Sequence, residues 1–311
     1  MKHVKIILTS VTYLLICACD YGTQKKYDDT PTSGTINISV DATFANIMRV
    51  ELDTFHALYK HARVNARYCT ESEAFKDLIN DTARVIVASR KLNDQELQYF
   101  KQRNLTPREV HIAIDAIAFI VHPDNEDSVL GNSQIKKMLS GEITDWKQVS
   151  EKNTSGQVVM VFDNVNSSTA LYARDSINKG APIKGNVFAR NTFEDVINYV
   201  SENKNAIGVV GVSYISDPDD PTQLSFITKT RVIAIKNEKD ATRYKPYQAY
   251  VAQGLYPYTR NVYMISREAR SGLGTGVSGF VSSYNGQLII KKMGIMPATQ
   301  FARVGGFRNN N

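Results

Sequence analysis

The chain has 311 residues, of which 42% are apolar and 22% charged, enough for one large or two medium domains of ordinary globular composition. That composition excludes a disordered, collagenous or multi-span membrane protein. Lys and Arg number 37 against 31 Asp and Glu, with no large basic block. Obligate nucleic-acid binding is therefore not implied, because a phosphate backbone is met by a clustered Lys/Arg face.

Residues 1–18 carry Lys2, His3 and Lys5, then an apolar core from Ile6 to Ile16 too short to span a bilayer, then small residues, the pattern of an export signal. The run Leu15-Ile16-Cys17-Ala18-Cys19 resembles a bacterial lipobox, which implies acylation of Cys19 and attachment to a membrane through that lipid; an ordinary signal peptide with incidental cysteines is the alternative. The polar, breaker-rich stretch 19–34 is expected to be a flexible tether. With Cys17 removed and Cys19 lipidated, Cys69 remains as a free thiol, so neither an internal disulfide nor a thiolate zinc cluster is expected. Cys69 reads as a small buried apolar residue.

Folding is expected to begin near Thr35. Thr35 to Val40 alternates as a strand, and after the turn Asp41-Ala42-Thr43 the residues Phe44, Ile47, Met48, Phe55, Leu58 and Tyr59 fall at helical spacing. The pattern then predicts a helix over Ser72–Asn80, a strand over Arg84–Ala88, a helix from Asp94 to Phe100, a long apolar strand over Val110–Val121, and a short helix over Ser133–Ser140 ended by Gly141. Next come a strand over Val158–Phe162, a polar loop to Ser168, a helix over Thr169–Asn178, and a helix capped by Thr192 with Asp195 in the capping-box position. Strands are expected at Ala206–Tyr214, Leu224–Ile227, Val232–Ile235 and Arg260–Ser266, and one long helix over Gly276–Met293 stopped by Gly294.

Alternating strands and helices argue for an α/β architecture, in which ligands bind at the carboxyl ends of strands. Three polar loops, around Thr43, Ser89 and Ser167, stand at such ends ahead of expected helices, an arrangement in which free N–H groups and the helix dipole favour anions. Spacing alone does not reach the ligand. His56 and His61, five apart, do not share a helix face as zinc ligands do. Asp217-Pro-Asp-Asp-Pro221 lacks the length and glycine of a calcium loop. Gly272-Leu-Gly-Thr-Gly276 precedes no Gly-Lys-Ser/Thr and reads as a turn opening a helix. Ser167 and Ser168 have no Gly-x-Ser-x-Gly elbow and no partnered histidine, which weighs against a hydrolase.

The segment Ile112-Ala-Ile-Asp-Ala-Ile-Ala-Phe-Ile-Val-His-Pro-Asp124, continued by Gln134 to Lys147, resembles the signature of the PstS-like phosphate-binding family of periplasmic solute-binding proteins. Ala206-Ile-Gly-Val-Val-Gly211, Tyr256-Pro-Tyr-Thr-Arg260, Ser271-Gly-Leu-Gly-Thr-Gly276 and Gly294-Ile-Met-Pro297 are similar to the same family in the expected order. The resemblance implies a type II two-lobed periplasmic-binding-protein-like fold, each lobe a mixed sheet flanked by helices. Lobe one would be 35–115 with 262–311, lobe two 116–261, and two crossover strands would join them. It implies a monomeric, extracytoplasmic, lipid-anchored protein that captures inorganic phosphate or a related oxyanion for an ABC permease, with no catalysis, cofactor or metal.

Carried over by motif, the resemblance makes Thr43 and Phe44 first-loop donors, Ser89 the second-loop serine, and Ser167, Ser168 and Thr169 the counterpart of a Ser-Gly-Thr loop. The second loop has Arg90 where the family often has Asp, and the third has Asp163 where it usually has Arg. A reciprocal exchange would keep one arginine for charge and one carboxylate to accept a phosphate proton; an Arg90–Asp163 ion pair is the plain competitor. The alternative function is a sensor or surface interaction protein on the same fold, not coupled to transport.

Overall fold

The computed structural model describes residues 29–216, 226–238 and 240–299. Chain order begins with β1 (Ser33–Asp41), a 3-10 turn over Ala42–Phe44 and α1 (Ala45–Leu58), then β2 (His61–Cys69), α2 (Glu71–Ile79), β3 (Val85–Ala88), α3 (Asp94–Lys101) and β4 (Arg108–Val121). It continues with β5 (Val129–Gly131), α4 (Asn132–Ser140), β6 (Val159–Phe162), α5 (Ser168–Tyr172), β7 (Val187–Ala189), α6 (Phe193–Glu202) and β8 (Ala206–Gly211). Short β9 (Arg231–Val232), β10 (Ala234–Lys236) and β11 (Arg243–Tyr244) precede α7 (Gln248–Ala252), β12 (Thr259–Ser266), α8 (Leu273–Ser282), α9 (Tyr284–Lys292) and β13 (Met296–Pro297).

The main sheet runs β2-β1-β3-β12-β4-β8-β6-β7; it is mixed, as the resemblance implies, and continuous through β4. β1, β2 and β3 are parallel, β12 is antiparallel to β3 and β4, and β6 is parallel to β7 and β8. β4 is the member common to both halves: its residues up to Ala116 pair with β12, and from Ile117 to Val121 it pairs with β8. Its residues from Ala116 to Val121 are fully buried, which accounts for the near-continuous apolar run there. Helix α1 buries Ile47, Met48, Glu51, Leu52 and Phe55, and α4 packs instead on β5 of a second sheet ordered β11-β10-β5.

The local signals account for most boundaries. Thr70 and Glu73 form a reciprocal capping box at the start of α2, Thr192 accepts from the Asp195 amide at α6, and Gly141 ends α4 in the left-handed region with φ 79°. The cap of α3 is Asn93 with Glu96, one residue before the expected Asp94. β2, an edge strand that no expected element covers, turns Ala62, Val64, Ala66 and Tyr68 toward the core in alternation with His61, Arg63, Asn65 and Arg67. The expected helix over Thr169–Asn178 tightens into α5 and then widens into a π turn over Ala173–Ile177.

The long helix expected over Gly276–Met293 is two helices. Ser283 is extended, its hydroxyl donates to the Phe280 carbonyl at 2.6 Å, and the Gln287 amide donates to the Val281 carbonyl at 2.9 Å, so side chains satisfy the carbonyls a continuous helix would use. The expected strand over Leu224–Ile227 falls partly outside the described residues, as do Asp217 to Pro221, Cys17 and Cys19. Phe226 makes an isolated bridge to Ser216.

The expected tether to Gly34 is corrected at its end: the fold includes it from Asp29. Asp29 is buried, accepts from the Leu273 amide at 2.7 Å and pairs with Arg84 at 2.9 Å and with Arg270. A Cβ on Gly276 would lie 1.7 Å from the Pro31 carbonyl oxygen, so glycine is required where this segment crosses α8. Glu268 accepts from the Gly274 and Thr275 amides at 3.0 and 2.7 Å. The glycine-rich run is thus a helix N-terminus already filled by two of the chain's own carboxylates. Among the described residues no helix is long and apolar enough to cross a membrane.

Glu51 is fully buried on α1 with neither carboxyl oxygen hydrogen-bonded, and burial pushes its pKa up to about 9. The folded chain holds it protonated at neutral pH, whereas the unfolded chain ionises it above its ordinary 4.5. The stability this group removes grows as pH rises from 4.5 toward 9, reaching on the order of 3 kcal/mol at pH 7. Glu51→Met should raise the thermal unfolding midpoint strongly at pH 8 and much less at pH 5. Equal gains at both would contradict a buried neutral Glu51.

Candidate functional site

Three strand ends converge beside the residue where β4 changes partner. β1 ends in Asp41, whose carboxylate caps the 3-10 turn by accepting from the Thr43 amide at 3.1 Å and the Thr43 hydroxyl at 3.2 Å. β6 ends in Phe162 and leads through Asp163 to Ser167, which caps α5 by accepting from the Ala170 amide at 3.2 Å. β8 ends in Gly211, where a Cβ would stand 3.1 Å from the Thr43 methyl and 3.7 Å from the Asp115 carboxylate, so the loop after β1 can approach only a glycine.

Between these ends lies Arg260 of β12. Its Nε and Nη2 reach the Asp115 Oδ2 of β4 at 3.0 and 2.9 Å, with both side chains at most 4% exposed. Its Nη1 donates to the Ser168 hydroxyl at 2.9 Å, and that hydroxyl shares a 2.9 Å hydrogen bond with the Thr43 hydroxyl. Phe44, 1% exposed, carries its ring 5.2 Å from the guanidinium carbon. Thr43, Ser168 and Arg260 therefore form one hydrogen-bonded chain from the first loop, through the third, to the return strand. Tyr214 and Asn46 add bonds to Ala42 and Ser213, and Tyr172 donates to the Thr259 carbonyl, which ties the two halves of the sheet at the same place.

The electrostatics of this junction are acid-rich. Burial pushes Asp41 up to about 7, reinforced by the nearby Glu71 charge and opposed by Arg260. Burial likewise pushes Asp163 up to about 6 against hydrogen bonds from Ser167 and backbone amides, and raises Asp115 despite Arg260. Among the described residues, Arg260 is the one basic side chain in the buried set. Asp41 Oδ2, Asp115 Oδ1, Asp163 Oδ1 and the Thr169 hydroxyl are buried without a hydrogen-bond partner.

The structure gathers Thr43, Phe44, Asp163, Ser167, Ser168 and Thr169 around this junction. It does not bring Arg90 to Asp163. Arg90 is held in a fork by Glu96, with Nη1 and Nη2 bonds of 2.8 and 2.9 Å, and lies 3.5 Å over the Phe75 ring. The competing Arg90–Asp163 ion pair is therefore absent, because the α3 capping glutamate lies six residues away on the same loop and helix. Ser89 donates its amide and hydroxyl to Glu71 at 2.6 and 2.7 Å. Both Ser89 and Arg90 line an open cavity of about 590 Å³ whose other walls include Ser168, Tyr172, Arg260 and Tyr263.

Sequence reasoning missed Arg260, Asp115, Asp41 and Glu71 as site residues. Arg260 and Asp115 lay inside runs quoted for the fold, and a charged residue in an apolar strand was the available signal. The other candidates have structural roles: His56 Nε2 accepts from the Val64 amide at 3.1 Å, and Cys69 is buried and free, with burial pushing its thiol up to about 12.

The chain matches the PBP superfamily domain over residues 26–283, and it belongs to that superfamily. It is similar to the phosphate-binding protein PstS of Pseudomonas aeruginosa, 25% identical over 299 residues that cover 91% of this chain and 88% of that one. It is 21% identical to PstS of Staphylococcus epidermidis over 86% of this chain and 80% of the relative. Among solved structures, a substrate-binding protein from Clostridium perfringens with bound phosphate superposes with a TM-score of 0.70 at 21% identity, over 86% of this chain and all of that one. These likenesses agree with the mixed α/β fold.

If the Arg260–Asp115 pair organises the junction, Arg260→Met strands a buried carboxylate and should cost about 3–5 kcal/mol in urea unfolding. Adding Asp115→Asn should recover most of that loss. Simple addition of the two losses would show that the pair is not coupled.

Proposed function

We propose that this protein is an extracytoplasmic substrate-binding protein that captures inorganic phosphate, or a closely related oxyanion, and delivers it to the transmembrane subunits of an ABC permease. It acts as a monomer, performs no chemistry and is held to a bacterial membrane by lipid on Cys19. Its two lobes, 35–115 with 262–311 and 116–261, meet where β4 changes partner. The anion binds among Thr43, the Phe44 amide, Ser167, Ser168 and Thr169, with Arg260 taking the neutralising role that the sequence gave to Arg90. Ser89 and Arg90 form the wall of the open side.

The observation that carries this reading is the Thr43–Ser168–Arg260 chain, in which one buried guanidinium donates to the Ser168 hydroxyl, which in turn bonds the Thr43 hydroxyl from the other half of the sheet. An anion at that point exchanges a single hydroxyl bridge for several charge-assisted hydrogen bonds, each stronger than a neutral one. Because those donors come from both halves, the bound anion favours the arrangement in which the halves are together, the differential affinity a closing receptor needs. Similarity to phosphate-binding proteins along nearly the whole chain adds to it.

The number of carboxyl groups around Arg260 favours a second reading, a sensor or surface interaction protein whose cleft has changed its ligand. Calorimetric titration of ligand-stripped protein with phosphate, then sulfate, separates the two. The proposal expects saturable phosphate binding, weakened about 100-fold or more in Ser168→Ala with Thr169→Ala. Folded protein that gives no heat with either anion would select the second reading.

A further inference from the structure

In this cleft the groups suited to an anion are already answered by the chain's own carboxylates. Asp41 accepts from the amide and hydroxyl of Thr43, Glu71 from the amide and hydroxyl of Ser89, and Asp115 from Arg260. Asp163, 4% exposed, adds a fourth carboxyl with one oxygen unpartnered. Three aspartates therefore face one guanidinium, with Glu71 beside Asp41. If all were ionised, an arriving anion would enter a site of net negative charge in a medium where like charges repel far more than in water. Burial of the groups leaves protonation as the remaining way to lower that charge.

We propose, on the phosphate reading above, that ligand capture is coupled to proton uptake: Asp41 and Asp163, one from each half of the sheet, bind the anion as neutral carboxylic acids whose O–H groups donate to it. The unpartnered oxygens Asp41 Oδ2 and Asp163 Oδ1 are the atoms that would carry those protons. This reverses the role the sequence gives Asp163, from acceptor of a ligand proton to donor of its own. It makes the pair determinants of specificity, because a neutral acid donates to any oxyanion oxygen whereas a carboxylate accepts only from a protonated ligand.

The unliganded pKa values of about 7 and about 6 already put both groups within reach of neutral pH, and a bound negative charge raises them further. The groups that face Asp41 are Glu71 of α2, Arg260 of β12 and the Cys69 thiol of β2; those that face Asp163 are Arg260 and the Tyr214 hydroxyl. Asp115 faces Arg260 and Tyr172. Arg260 is the cation common to the three aspartates.

The test is calorimetric titration of the protein with inorganic phosphate from pH 5.5 to 8.5, in buffers of different ionisation enthalpy so that bound protons are counted. Phosphate's own titration is shared by every variant and cancels in comparison. Asp163→Asn should bind phosphate about 100-fold more tightly than the wild type at pH 8.5, come within a few-fold of it at pH 5.5, and take up about one proton fewer near neutrality. Asp41→Asn, which retains a capping side chain for Thr43, is the independent second variant and should flatten the profile in the same sense. Parallel pH profiles with equal proton counts in wild type and variants would overturn proton coupling while leaving phosphate binding intact. Absence of phosphate binding at every pH would overturn the phosphate reading and this inference together.

Discussion

The buried pair of Arg260 and Asp115 is the constraint on which the rest of the cleft depends. It joins the two long strands at the centre of the sheet, at 2.9 Å and with almost no exposure, one residue before β4 passes from one half of the sheet to the other. Removing a guanidinium and a carboxylate from water is costly, and the cost is met only when the geometry is good and the remaining donors are used. Here one Nη1 donor is used on Ser168, and through it on Thr43, so the ion pair fixes the first and third loops relative to each other, while Nη2 makes its 2.9 Å ion-pair contact without a hydrogen bond of its own. A core charge that in another setting would be a liability becomes the means by which both halves of the sheet address one point.

Carboxylates recur wherever this chain presents an anion-binding geometry. Asp29 and Glu268 occupy the N-terminus of α8, Glu71 occupies the donors of Ser89, and Asp41 those of Thr43. At α8 the arrangement is purely structural, since it clasps the start of the fold to a late helix and completes the first turn's amides. In the cleft the same device holds loops in place but raises the local negative charge. Burial then shifts the balance toward neutral acids, so one set of residues both shapes the site and makes its charge sensitive to pH.

Much of the fold was legible because the apolar periods were strong: the burial of β4 from Ala116 to Val121, the capped starts of α2 and α6, and the Gly141 stop all follow from local chemistry. What failed did so where a tertiary contact decides. The break at Ser283 depends on hydrogen bonds to carbonyls of the preceding helix, whereas the alternation of Ala62, Val64, Ala66 and Tyr68 in β2 was legible although no expected element covers it. In the site, the loop residues carried over by motif do gather at the strand ends. The charged partners were not legible, since nothing in Arg90's own segment distinguishes a ligand arginine from one claimed by Glu96. Nor does a one-dimensional pattern bring Asp115 to Arg260, 145 positions apart.

The account's central claim is that Arg260 is the point where an anion enters the hydrogen-bonded chain from Thr43 to Ser168. A crystal structure of the phosphate complex at mildly acidic pH tests it most directly. Phosphate oxygens are expected within hydrogen-bond distance of the Arg260 guanidinium and the Ser168 hydroxyl, with the direct Thr43–Ser168 contact replaced by bonds to the anion. Phosphate bound elsewhere, with the Thr43–Ser168–Arg260 chain unbroken, would contradict it.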